Sequence, residues 1–179
     1  SLNDEQLRKL HERLVYLRNL EEKKAQVLSS IEEQGKLTEE LRQQILAAET
    51  QVTVEDLYRP YRPKRRTRAT IAKEKGLEPL AAFIMLQNAK EPLEHTAQQY
   101  VSEEKDVKSA ADAIAGAKDI IAESISDNAD YRSWIRKTTM KKGKVTSAAK
   151  DPEAESVYEM YYEFEEPVSK LAGHRILAL

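Results

Sequence analysis

The sequence predicts an all-α protein: a long antiparallel helical hairpin, an extended basic proline-rich strap, and a second helical bundle. Composition is the first reason. Charged residues make up 34% of the 179 residues and only five are glycine, with heavy use of Ala, Leu, Glu, Lys and Arg, all good helix formers. Spacing is the second: Leu7, Leu10, Leu14 and Leu17 recur three and four apart instead of alternating. Punctuation is the third. Asn3 with Gln6 forms a capping-box pattern, and Gly35 is a natural stop.

The first helix is expected between Asn3 and Gly35. Its leucine seam resumes at Leu28 and Ile31, while Glu21 and Lys24 interrupt it and Leu20 and Val27 lie on an adjacent line. Such drift favours packing against several neighbours in the same chain over a dimeric coiled coil. Gln34–Leu37 is a connector. Thr38 caps a second helix reaching about Thr50, with Glu39 and Glu40 in its first turn and Leu37, Leu41, Ile45 and Leu46 toward the first helix. Thr53 opens a short helical turn. Residues 1–52 thus read as the hairpin, 53–76 as the strap with a short helix, and 77–179 as the second bundle.

The strap holds the strongest charge signal. From Arg59 to Lys75 there are eight cations and one acid, a local +7 in a chain of formal net charge −2. A partner feels that local field more than the total. Tyr-Arg-Pro occurs twice in register, at Tyr58–Pro60 and Tyr61–Pro63. Each proline pushes the arginine before it toward extended or polyproline II geometry, placing the tyrosines on one edge and the arginines on another. Thr67 is placed to cap a helix over 68–75 that Gly76 ends, so that free N–H groups adjoin Lys64, Arg65 and Arg66 as in an anion site. A phosphate-binding surface and a solvated structural strap both fit these residue types. The tyrosines read as packing residues rather than base-stacking platforms.

Beyond Gly76, Pro79 suits the first turn of a helix reaching Asn88, with Leu80, Phe83, Ile84 and Gln87 on one face. Pro92 opens a short helix to Val101. Ser109 with Asp112 caps a helix in which Ala110, Ile114, Ala117, Ile121 and Ile125 recur among small alanines. Asp127 is read as the cap of a helix from Asn128 to Met140. Helix-turn-helix and ordinary bundle arrangements both remain open here. Residues 131–150 carry seven cations and no acid, a second candidate phosphate-tracking surface. Within it Trp134 is expected in the core with Ile135, and base stacking is its functional alternative. The sign then flips: residues 151–166 hold seven acids and no base among Tyr158, Met160, Tyr161, Tyr162 and Phe164. That segment is read as an acidic aromatic helix that folds back on a basic stretch, shields it from nucleic acid, or meets further domains. Pro167 ends it, and an apolar helix is expected over 168–179. The chain lacks an initiator Met and stops amid an apolar pattern, so it reads as a piece of a longer protein.

Several functions are excluded or unsupported. There is no cysteine, which removes disulfides and thiolate metal sites and fits a cytoplasmic origin. No apolar run reaches the roughly 20 residues of a spanning helix, so no membrane is expected as a partner. No P-loop or nucleotide-binding glycine pattern occurs. His11, His95 and His174 are widely spaced with no partner pattern for a metal or nucleophile. The expectation is no enzyme, no catalytic residue, no metal and no cofactor.

Glu55–Ala81, EDLYRPYRPKRRTRATIAKEKGLEPLA, resembles the signature of the Tex family of bacterial transcription accessory proteins, relatives of a eukaryotic transcription elongation factor. The resemblance extends to residues 12–41, to AIAGAKDIIAESISDNADYR and to the closing EPVSKLAGHRILAL. It implies a longer parent in which a helical N-terminal region precedes an RNase-H-like domain, helix-hairpin-helix elements and an S1 nucleic-acid-binding domain. It also implies transcription, with nucleic acid (RNA or DNA), transcription machinery and downstream domains of the same chain as partners.

The expected function is therefore nucleic-acid binding through phosphate contacts without base reading. Arg62, Lys64, Arg65, Arg66, Thr67, Arg68 and Lys73 are its candidate residues, with Arg132, Arg136, Lys137, Lys141, Lys142 and Lys144 secondary. The alternative is a scaffold whose strap pairs inside the protein while an S1 domain elsewhere does the binding.

Overall fold

A computed structural model describes residues 3–179. The chain divides into two compact units at Ala129/Asp130, so residues 77–179 fall on both sides of the division while hairpin and strap share the first unit. Nine α-helices and one two-stranded sheet are present among the described residues.

Helix α1 spans Asp4–Glu33, opened by the complete Asn3/Gln6 capping box. Gly35 follows at φ +66, a left-handed geometry glycine adopts without a Cβ penalty. Helices α2 (Glu39–Ala47) and α3 (Gln51–Tyr58) are capped by Thr38 and Thr50. The second helix therefore ends earlier than expected, and Thr50 starts a full helix instead of closing one.

The hairpin core keeps the expected Leu28 and Ile31 of α1 and Leu37, Leu41 and Ile45 opposite them, and departs from the predicted seam toward the start of α1. Leu20, Val27 and Ile31 are buried with Leu41, Ile45, Ala48 and Val54. Leu7, Leu10, Leu14 and Leu17 are exposed, as is Leu46. Length explains this: at about 1.5 Å per residue the 9-residue α2 spans under a third of the 30-residue α1. In the N-terminal half of α1 it is therefore Tyr16, packed on the core with its hydroxyl accepting from Gln51 N at 3.0 Å, that meets the hairpin, and not the leucines. The adjacent line of Leu20 and Val27 wins because that is the side α2 and α3 occupy. Lys24 is buried too. Its amine donates to Leu46 O at 2.9 Å and pairs with Glu21 at 2.8 Å, which satisfies the charge beside the carbonyl end of α2.

Helices α4 (Arg68–Glu74), α5 (Glu78–Leu86), α6 (Leu93–Gln98) and α7 (Ala110–Asp127) complete the first unit. Ser109 caps α7 through Asp112 N at 3.1 Å. On α7 Ala113, Ala117 and Ile120 are buried with Ala69, Ala72, Leu77, Leu80 and Val107, and the expected Ala110, Ile114 and Ile121 pack against that core, while Ile125 is exposed. Gly116 sets the approach. A Cβ there would lie 2.4 Å from Leu77 Cδ1 and 3.3 Å from Ala72 Cβ, so only glycine admits this packing unshifted.

In the second unit α8 (Ala129–Lys142) leads to β1 (Lys144–Ala148), which pairs antiparallel with β2 (Glu163–Pro167), Thr146 opposite Glu165. The expected acidic helix is thus a 3-10 turn, Glu159–Tyr161, followed by a strand. Seven acids without a base would stack like charges four apart on a helix. In the strand Glu163 and Glu165 fall on the outer face, where Lys144 meets Glu165 at 2.5 Å, and Glu166 falls on the other. On the other face Phe164 meets Tyr161 edge-on at 5.4 Å, and Arg175 covers Phe164 at 5.7 Å while pairing with Glu166 at 2.9 Å. The expected helix over 168–179 is likewise split into a 3-10 turn, Val168–Lys170, and α9, Gly173–Ala178, because Leu171 and Ala172 are extended.

Candidate nucleic-acid interface

The strap begins inside a helix end. Arg59, the residue after α3, has φ −51 and ψ −42, and the N–H groups of Tyr61 and Arg62 both donate to Tyr58 O, at 2.8 and 3.0 Å. The first Tyr-Arg-Pro is therefore a helix-closing turn, not polyproline II: these backbone bonds outweigh the preference that Pro60 imposes on Arg59. Both tyrosines pack on the hairpin core. Tyr58 Oη shares a 2.9 Å hydrogen bond with Ser30 Oγ, and Tyr61 O accepts from Gln34 at 2.9 Å.

The chain then crosses the end of α7. Asp119, Glu123 and Asp127 lie four residues apart on α7, forming one acidic stripe. Asp127 is buried. One of its carboxylate oxygens accepts from Arg59 Nε at 2.9 Å and the other from Lys64 Nζ. Lys64 also lies 3.6 Å from Glu123, and Arg68 Nε 3.6 Å from Asp119. Asp127 was expected to cap the next helix; it is instead the last residue of α7, where two cations offset an acid at the unfavourable end of the helix dipole. This acidic stripe is what the sequence reading missed, although its four-residue spacing was visible.

Strap and stripe enclose an open cleft of about 600 Å³, lined by Arg59, Arg62, Lys64, Arg65 and Arg68 on one side and the three acids on the other. The strap cations divide into two sets. Lys64, a candidate, and Arg59, which was not one, face inward onto Asp127. Arg62 pairs with Glu55, which Lys23 also contacts at 2.6 Å, and its guanidinium lies 5.8 Å from the Tyr58 ring. Arg65 is exposed and makes no ion pair among the described residues. Arg66 reaches Glu74 at 2.8 Å with its side chain 67% exposed, and Arg68 is 86% exposed. Lys73 is 3.9 Å from Glu78. Thr67 caps α4, its hydroxyl oxygen accepting from Thr70 N at 3.1 Å and sharing a bond with Thr70 Oγ1.

The secondary candidates belong to the other unit. Arg132, Arg136, Lys137, Lys141 and Lys142 are on α8, and Lys144 is on β1. Arg132 and Arg136 have partners within the chain. Trp134 is not in the core as expected: it is 66% exposed, with Ile135 at 55%, because α8 buries no residue. Among the described residues no group of three or more His, Cys, Asp or Glu is placed to hold a metal ion, and no helix is long and apolar enough to cross a membrane.

Comparison with known proteins identifies the lineage. Residues 87–179 match the family model described as Tex central region-like. The chain belongs to the Tex family. Across 99% of its length this Tex-family chain is 43% identical to the transcriptional accessory protein Tex of Neisseria gonorrhoeae and 46% identical to protein tex of Bordetella pertussis. It is 48% identical over its whole length to an uncharacterized Bacillus subtilis protein, YdcI. It spans about a quarter of that relative and 23% of each of the other two. The matched family model begins after the strap, whereas the relatives align with the strap as well.

Proposed function

We propose that this chain is a nucleic-acid-binding part of a Tex-type transcription accessory protein, engaging the phosphates of RNA or DNA without reading bases. One observation carries the reading: Arg65, Arg66 and Arg68 face solvent from a strap that Arg59 and Lys64 anchor onto Asp127. Anchoring lowers the ordering cost of binding, and guanidinium groups suit phosphate oxygens. No Asn or Gln lies between Tyr58 and Gly76, consistent with contacts that position rather than specify. The cations of α8 are a separate basic set on the other unit. The names of the relatives support a role in transcription, and transcription machinery is the natural further partner.

The same Asp127 pairing favours a second reading, in which the strap is only scaffold. A salt series of fluorescence anisotropy with labelled single strand and duplex separates the two, run beside an Arg65→Glu/Arg66→Glu/Arg68→Glu variant. Those side chains are exposed, so circular dichroism of the variant should stay unchanged. Wild type is expected to lose affinity steeply with salt, and the variant to bind much more weakly with a log–log slope shallower by about 2 to 3. Absence of wild-type binding at low salt, or a variant that binds as well as wild type, overturns the proposal in favour of the scaffold.

A further inference from the structure

We infer that the exposed stripe Trp134–Lys137–Lys141 on α8 is a stacking site for unpaired nucleobases, a second nucleic-acid surface on a different unit from the strap. The inference rests on the reading that the chain binds nucleic acid and adds which form of it α8 takes. Trp134 is the only tryptophan of the chain, and an indole 66% exposed leaves a large apolar face in water. Residues 134, 137 and 141 lie on one line of the helix, with Lys141 about 10 Å beyond the ring along the axis. Lys137, Lys141 and Lys142 make no ion pair or hydrogen bond among the described residues, so their charge is not already neutralised by a carboxylate of the chain. Tyr131 and Ile135 widen the apolar face, at 52% and 55% exposure.

Charge decides the occupant. Helix α8 carries five cations and one acid, Asp130 in its first turn. The core of a protein–protein interface is depleted of lysine, whereas an aromatic face bordered by lysines is how single strands are held: the ring stacks a base and the ammonium groups follow the backbone. A duplex hides its base faces and offers the ring nothing to stack on.

The sole tryptophan makes the test direct. Emission of the whole chain is followed as unlabelled oligothymidylate, a duplex of equal length, or inorganic polyphosphate is added at low salt, with anisotropy of labelled strands in parallel. Single strand is expected to quench Trp134; duplex and polyphosphate are expected to bind without quenching. Trp134→Ala should weaken single-strand binding about 5- to 150-fold and leave duplex binding nearly unchanged, with Trp134→Phe intermediate. Lys137→Glu/Lys141→Glu, at exposed positions, should weaken it independently. Unchanged emission while single strand binds, or unchanged affinity in Trp134→Ala, overturns the inference and leaves the strap reading standing; the apolar face then belongs to a protein contact. If no nucleic acid binds at low salt, both fall.

Discussion

Neutralising Asp127 should release the strap. Asp127→Asn keeps the side-chain shape but removes the charge shared by Arg59 and Lys64, whose side chains are 42% and 26% exposed against 10% for Asp127. A hydrogen bond to a charged group contributes about 1.5–3 kcal/mol. Both cations keep contact with water, which screens the interaction, and the asparagine oxygen still accepts one bond, so about 1–2 kcal/mol is the expected loss. Applied to local opening, that is a roughly 5- to 30-fold larger open population. Hydrogen exchange at the Tyr61 and Arg62 amides and tryptic cleavage after Lys64 should both accelerate by that factor. The freed Lys64 also gains access to a phosphate, steepening the log–log salt slope by about 0.7 to 0.9 and raising affinity. Unchanged exchange and cleavage would refute the argument, because the strap would then owe its position to the tyrosine packing and not to Asp127. Faster exchange with weaker nucleic-acid binding would show that anchoring matters more than the extra cation.

Three further outcomes test the fold beneath the site. Gly116→Ala should lower stability by about 1 kcal/mol, the strain of a Cβ 2.4 Å from Leu77 Cδ1 exceeding alanine's gain in helix propensity; a higher melting temperature would mean that Leu77 swings aside. Lys24→Ala should cost about 1–3 kcal/mol in urea unfolding, since Leu46 O loses its donor and the hairpin core gains a cavity, and a neutral result would show that water replaces the amine. The Asp106 carboxyl is held below its ordinary value, first by the hydrogen bond and then by the charge of Lys75, with Lys108 adding to it. Because its folded value is depressed, the stabilisation is present above the ordinary aspartate range and is lost as pH falls through the depressed value. Carbon-13 NMR titration should show the shift, and Lys75→Ala should move Asp106 back up; no movement would assign the shift to another group.

What the chain alone determined was local. Asn3, Thr38, Thr67 and Ser109 cap the helices they were expected to cap, and Gly35 ends α1, because caps and stops depend on backbone groups within a turn of the residue concerned. The predominance of helix and the Tex resemblance were legible for the same reason: both lie in runs of neighbouring residues. What the tertiary structure decided was which side of each element meets another. The leucines of Leu7–Leu17 stay exposed since α2 is too short to reach them. Part of the acidic segment, Glu163–Pro167, became a strand because β1 lies beside it, with Lys144 reaching Glu165 from the diagonal position. The 3.6-residue period of α7 did not show that Ala113 and Ile120 are buried while Ile125, on the expected stripe, stays exposed. The division of the strap into an anchored and an outward set was equally invisible. It depends on Asp127, distant in sequence from Arg59 and Lys64, and only the fold brings those charges within hydrogen-bond reach.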